Sequence, residues 1–223
     1  MKKYVTPSLL NVEPERRLEV ADTLVSNGIK WIHYDIMDGE FVPNTAILPS
    51  EIAKINSEGL KHIKDAHLMT VDPYSHVDSV KDSCDIITFH YEAIMDDEEK
   101  FDEFLTENSA ELKIGLAIKP ETKVEAVKPY LDRLALVLVM SVEPGKGGQK
   151  FMPMALDKIA QLKQIRIQNG YDYLIQVDGG INGETGPEAF AAGADACVAG
   201  TYLVFEPTKE KIDSVLGKFA KKN

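Results

Sequence analysis

The sequence predicts an α/β fold, a single closed (β/α)8 TIM barrel that takes up residues 1–223 as one catalytic domain. Three observations predict it. Eight short apolar, β-branched runs recur along the chain, a segment with helical spacing follows each run, and no linker or low-complexity tract interrupts the series. Regular strand–helix alternation implies parallel strands joined by right-handed crossovers, and eight such units point to closure. An open doubly wound sheet is the runner-up. It would carry a glycine-rich dinucleotide turn after its first strand, and PSLLNVEPE (7–15) is not one.

The strand runs are, in order, YVTPSLL (4–10), WIHYDIMD (31–38), DAHLMT (65–70), IITFHYE (86–92), KIGLAIK (113–119), LALVLVMSV (134–142), YLIQVDGG (173–180) and ACVAGTYLV (196–204). The clearest helices lie over 13–28, 153–170 and 208–222. In the first, Leu18, Ala21, Leu24 and Val25 make an apolar stripe that Asn27-Gly28 terminates. In the second, Pro153 suits the start, Leu156, Ile159, Leu162 and Ile165 mark a face, and Asn169-Gly170 stops it. In the third, Thr208 caps a stripe of Ile212, Val215, Leu216 and Phe219.

A formal net charge of −11 argues against nucleic acid or an anionic membrane as partner, yet leaves room for a local site that binds a small phosphorylated substrate. Cys84 and Cys197 sit in apolar contexts without a CxxC, as expected of buried small hydrophobes in a reducing cytoplasm. The N-terminal stretch lacks the apolar core of a signal peptide, and no run approaches the ~18 apolar residues of a membrane span.

Barrel chemistry sits at the C-terminal ends of the strands. There the second run places His33, Asp35 and Met37 two apart, so all three face the same way. The third run ends in His67 and Met69, the sixth in Met140 and the seventh in Asp178-Gly179-Gly180. A hydrophobic strand that ends in ionisable groups needs partners for them. His33, Asp35, His67 and Asp178 make a two-imidazole, two-carboxylate set suited to a divalent metal cation, Zn²⁺ first and Fe²⁺, Mn²⁺ or Co²⁺ as alternatives. Any one of these histidines alone reads as a hydrogen-bonded core residue; four groups at strand ends read as a site. His90 reads as a hydrogen bonder behind the ligands, and His62 and His76 as surface residues. Met37, Met69 and Met140 fit two descriptions equally, core gap-fillers or a soft wall beside a delocalised anion.

The loop EPGKGGQKF (143–151), the GGING turn (179–183) and AGT (199–201) supply glycines and one cation, Lys146. In this fold the loops after strands 7 and 8 commonly hold phosphate on backbone N–H groups.

With these residues placed, the chain resembles the ribulose-phosphate 3-epimerase family. HYDIMDGEFVPN (33–44), HLM (67–69), VMSVEPGKGGQKF (139–151) and QVDGGIN (176–182) carry the resemblance, which runs from PSLL (7–10) to AGTYLVF (199–205). It implies a barrel of the ribulose-phosphate-binding type. The implied activity interconverts D-ribulose 5-phosphate and D-xylulose 5-phosphate in the pentose phosphate pathway, by proton transfer at C3 with a bound divalent metal. It implies His33, Asp35, His67 and Asp178 as ligands, with Asp35 and Asp178 as the two acid/base groups. Ser8 and His67 would contact substrate, the three methionines would flank the intermediate, and Gly145, Lys146, Gly147, Gly148, Gly179, Gly180, Gly200 and Thr201 would hold substrate and phosphate. A homo-oligomer is also implied. Three positions depart from the family pattern: Lys146 replaces an aromatic residue, Thr201 a serine and Glu143 a frequent asparagine. Lys146 raises a hexulose 6-phosphate 3-epimerase, such as one acting on D-allulose 6-phosphate, as the alternative. A Schiff-base aldolase or a decarboxylase of a sugar acid phosphate is a different enzyme class, with Lys119 as the aldolase lysine. A sugar-phosphate-binding protein without activity is the non-enzyme alternative.

Overall fold

The computed structural model describes residues 2–218. Eight parallel strands form one sheet: β1 (Tyr4–Val5), β2 (Trp31–Met37), β3 (Ile63–Met69), β4 (Ile86–His90), β5 (Ile114–Ile118), β6 (Leu136–Met140), β7 (Leu174–Asp178) and β8 (Ala196–Val198). Their order is β1-β8-β7-β6-β5-β4-β3-β2. A parallel bridge between Ser8 and His33 joins the two edges, so the sheet curls into the predicted barrel. The helices are α1 (Arg17–Ser26), α2 (Pro49–Glu58), α3 (Tyr74–Val80), α4 (Tyr91–Ile94), α5 (Glu98–Asn108), α6 (Met154–Asn169), α7 (Thr185–Ala192), α8 (Gly200–Val204) and α9 (Lys209–Val215).

Period-two alternation sorts the side chains into two layers. Ile32, Tyr34 and Ile36 of β2 pack outward in the large cluster between sheet and helices. Trp31 joins Ile86, Ala117, Leu136, Leu138 and Ala196 in the barrel interior. Met37, Val42 and Met69 form a third cluster at the mouth.

Helix boundaries follow local chemistry. Pro14 opens a short 3-10 turn (Pro14–Arg16) before α1, and Gly28 takes a φ of 99° after it. Gly170, at φ 69°, ends α6 in the left-handed conformation. Thr208 caps α9 through the Lys211 N–H at 3.3 Å; Ile212 and Val215 are buried there, and Phe219 lies outside the described residues.

Three expectations change. The segment after β5 is a 3-10 helix (Val124–Tyr130). Pro129 inside it has no N–H to donate and would clash in an α-helix. The first run pairs with β8 as a strand over Tyr4–Val5, and past Pro7 its backbone is joined to β2 by the Ser8–His33 bridge. The eighth run is a strand only to Val198; AGTYLV turns into α8, which buries Leu203 and Val204 in the outer layer. A short apolar run does not by itself distinguish strand from helix.

Candidate metal and acid–base site

Strand register gathers the predicted groups at one end of the barrel. Asp35 stands opposite His67, Met37 opposite Met69, and Met140 opposite Asp178. One donor atom each from His33, Asp35, His67 and Asp178 lies within 4.8 Å of all the others. The Nε2 of His33 is 3.4 Å from Asp35 Oδ1, 3.3 Å from His67 Nδ1 and 4.0 Å from Asp178 Oδ2. His67 Nδ1 is 3.2 Å from Asp35 Oδ1. Bonds of about 2.0–2.1 Å to a tetrahedral centre set neighbouring donors about 3.3 Å apart. The four residues therefore fit a divalent cation in both donor type and spacing.

The electrostatics show why the cluster needs balancing charge. Burial opposes ionisation of Asp178 and the Asp35 carboxylate adds repulsion, so its acid is pushed up to about 7. In the metal-free protein burial also opposes a charged Asp35, but the neighbouring His33 and His67 imidazoles outweigh it and hold that acid far below the carboxylate range. Burial would lower His33, yet Asp65 and Asp35 hold it well above its ordinary value. Burial brings His67 down to about 4. Two carboxylates and two imidazoles, all pushed from their ordinary behaviour at one spot, are a mark of functional sites.

Beneath the cluster lies a support that the sequence reading missed. Asp65, also inward-facing on β3, pairs with Nδ1 of His33. It accepts from the Trp31 indole at 2.5 Å and from Gln176 Nε2 at 2.9 Å, and Gln176 also reaches Thr6 Oγ1 at 3.1 Å. With a cation held there His33 would be neutral, and a proton kept on Nδ1 beside Asp65 would leave Nε2 as the lone pair aimed into the cluster. The signal was present in the sequence: Asp65, His67 and Met69 repeat the two-residue spacing of His33, Asp35 and Met37.

A cavity opens above the cluster. Ser8, Asp35, Met37, Met69, Met140, Gly145, Lys146, Gly147, Gly148, Asp178, Gly179, Gly180, Gly200 and Thr201 all line it. His33 and His67 are fully buried and do not. Ser8 donates its hydroxyl to Asp35. Asn11, not anticipated, also lines the cavity and donates to Thr201 Oγ1 at 2.7 Å. The Gly179-Gly180 turn needs glycine. Both have positive φ (122° and 63°), and a Cβ on Gly180 would stand 2.3 Å from the Phe151 backbone nitrogen.

The Lys146 loop is braced without the expected aromatic residue. Gln149 Nε2 donates to the carbonyls of Glu143 (2.6 Å) and Lys146 (2.8 Å), and Asn44 Nδ2 donates to that of Gly145 (2.7 Å). Lys119 does not line the cavity; its ammonium sits over the Phe41 ring, 4.3 Å from the centroid. His62 is half-buried rather than a surface residue. Its Nδ1–H donates to Leu60 O and its Nε2 accepts from the Tyr34 hydroxyl, both at 2.7 Å, and burial lowers it to about 4. His76, likewise half-buried, contacts Ser75 and the Asp72 carbonyl.

The barrel is shared with solved enzymes of other activities. The crystal structure of 3-hexulose-6-phosphate synthase aligns with a TM-score of 0.69 at 18% identity, covering 99% of this chain and 100% of that one. The structure of 3-keto-L-gulonate-6-phosphate decarboxylase from Vibrio cholerae aligns with a TM-score of 0.66 at 13% identity, covering 98% and 97%. At such identities the likeness shows the fold alone. Sequence relatives add the class: the protein is an isomerase, and among isomerases an epimerase. Residues 4–204 match the profile described as "Ribulose-phosphate 3 epimerase family", and the chain belongs to that family. The ribulose-phosphate 3-epimerase of Schizosaccharomyces pombe is 36% identical over 217 residues, covering 95% of this chain and 91% of that protein. That of Escherichia coli K12 is 34% identical over 225 residues, covering 99% and 98%.

Proposed function

We propose that the protein is a metal-dependent ribulose-5-phosphate 3-epimerase working as one catalytic domain. The observation that carries this is the pair Asp35 and Asp178, on strands three steps apart around the ring, meeting over one four-donor cluster at the floor of a single cavity. Epimerisation at C3 removes a proton beside the C2 ketone and returns one to the opposite face. Two carboxylates on different strands suit that task, one taking the proton and the other delivering one, with the roles exchanged in the reverse direction. A single shared base would tend to return the proton to the face it left.

His33, Asp35, His67 and Asp178 are the residues that would hold the cation. Such a cation, when bound, supplies Lewis-acid stabilisation of the negative charge that develops on the substrate's oxygens. The chain's own groups do the rest. Ser8 orients Asp35 through its hydroxyl. Met37, Met69 and Met140 wall the cavity with weak acceptors that compete for no proton. Backbone N–H groups near Gly179, Gly180, Gly200 and Thr201 would take the phosphate, and that remote grip positions C3 between the carboxylates. Unpaired Cys84 and Cys197 support a cytoplasmic setting. No helix among the described residues is long and apolar enough to cross a membrane.

The test is chelation and restoration with both ketose classes as substrate. Activity on ribulose 5-phosphate is lost on chelation and returns with Zn²⁺, Mn²⁺, Fe²⁺ or Co²⁺. Because Lys146 lines the cavity, kcat/KM is compared with that for a hexulose 6-phosphate. Full activity after complete metal removal contradicts the metal role, and a higher kcat/KM for the hexulose phosphate contradicts the substrate.

A further inference from the structure

Behind His67 runs a second line of polar groups that the proposed chemistry does not use. His67 Nε2 lies 2.8 Å from His90 Nε2, and His90 Nδ1 lies 2.9 Å from Glu92 Oε2. The other oxygen of Glu92 accepts the Lys119 backbone N–H at 2.8 Å and the Thr122 hydroxyl. Both rings are fully buried. The loop that supplies these donors is itself pinned: Lys158 Nζ donates to the carbonyls of Lys119 (2.9 Å), Pro120 (2.5 Å) and Thr122 (2.6 Å).

We propose that His90 and Glu92 are positioning residues that dictate which nitrogen of His67 faces the cation. Proton accounting along the line gives the direction. Glu92 meets donors only, so it is a carboxylate acceptor and the proton of His90 sits on Nδ1. The two Nε2 atoms stand at hydrogen-bond distance, so they share one proton. A neutral His90 presents a lone pair there, and His67 must donate. That leaves the Nδ1 lone pair of His67 aimed at the cluster, 3.2 Å from Asp35 Oδ1. Two acceptors at that distance call for a cation between them. Asp65 does for His33 what this longer line does for His67, with the opposite ring nitrogen exposed.

The inference rests on the metal reading and is tested separately from it. Glu92→Gln changes one atom, three links from the cation. The amide oxygen keeps the Lys119 and Thr122 donors, so the NH₂ faces His90 and reverses every hydrogen bond in the line. His67 then carries its proton on Nδ1, and zinc affinity falls by roughly 10–100-fold with all four ligands intact. Thr122→Val removes a donor but not the carboxylate, and should weaken zinc binding far less.

The experiment is long-range ¹H–¹⁵N correlation of histidine in the zinc-loaded protein, with zinc affinity measured for wild type and both variants. The expected spectrum shows His90 protonated on Nδ1 and bare on Nε2, and it needs no variant to fold. A His90 proton on Nε2 overturns the proposal. So does zinc affinity in Glu92→Gln within about twofold of wild type, or an equal loss in Thr122→Val. A wild-type protein that binds no zinc removes the metal reading and this inference with it.

Discussion

Asp35→Asn and Asp178→Asn each lower kcat by about 10²–10⁴-fold, the range expected when a positioned acid or base is lost. The assay is run at saturating metal, so that weakened cation binding is separated from lost proton transfer. An amide has nearly the shape of a carboxylate but cannot take a proton at catalytic pH. Stability separates the two sites further. The folded-state pKa of Asp178 is raised from its ordinary value to about 7, by burial and by Asp35. A carboxyl raised in this way favours the fold most at low pH, and its contribution is lost as pH rises through about 7. Asp178→Asn removes that charge, so the metal-free variant is at least as stable as wild type above neutrality. Asp35 is held in the opposite direction by His33 and His67, and an amide has one acceptor oxygen where the carboxylate uses Oδ2 for the Ser8 hydroxyl and Oδ1 toward the two imidazoles. Asp35→Asn should therefore lose stability as well as turnover. Near-normal turnover in either variant contradicts the two-carboxylate mechanism.

Asp195→Ala destabilises the protein by about 3–5 kcal/mol, the cost of breaking a buried ion pair, which lowers Tm by roughly 6–20 °C for a chain of this length. Asp195, 3% exposed, precedes β8 at the end of the barrel away from the cluster. Its Oδ2 accepts from Arg166 Nη1 at 2.5 Å and from the Ile175 N–H at 2.9 Å. Arg166, on α6, also donates to the Tyr173 carbonyl at 2.8 Å. The pair thus ties helix, β7 and β8 together. Truncation takes a carboxylate from a buried guanidinium and an acceptor from a buried backbone donor. Since none of these groups touches the mouth, kcat of the folded variant below its transition should match wild type. A Tm shift of only a degree or two, measured by calorimetry, would show that the site relaxes around the loss.

The two kinds of polar group differ in how readable they are. His33, Asp35, His67 and Asp178 were legible because each ends an apolar run, where period two fixes the face and the barrel fixes the end. Asp65 and Gln176 sit one layer deeper on the same strands and share the same parity. Their meaning depends on which strand lies opposite, and register is not written in local pattern. His33 pairing with Asp65 across β2 and β3 appears only once the ladder is known. Arg17 is a similar case. It falls beside the stripe of α1, yet it is buried against both Glu51 oxygens at 2.7 and 2.8 Å. Lys158 is hidden by its length, since its stem lies in the core face of α6 while its ammonium reaches three carbonyls of another loop. Composition misled at the eighth run, where AGTYLV is as apolar as a strand and the β7 ladder nonetheless ends at Val198.

The most direct test of the central claim is hydrogen exchange at C3. Metal-loaded protein is incubated with D-ribulose 5-phosphate in D₂O and followed by proton NMR. The C3 proton signal is lost as deuterium enters, with D-xylulose 5-phosphate accumulating and the other carbon-bound protons retained. Metal-loaded, folded protein that leaves the C3 proton in place contradicts the claim.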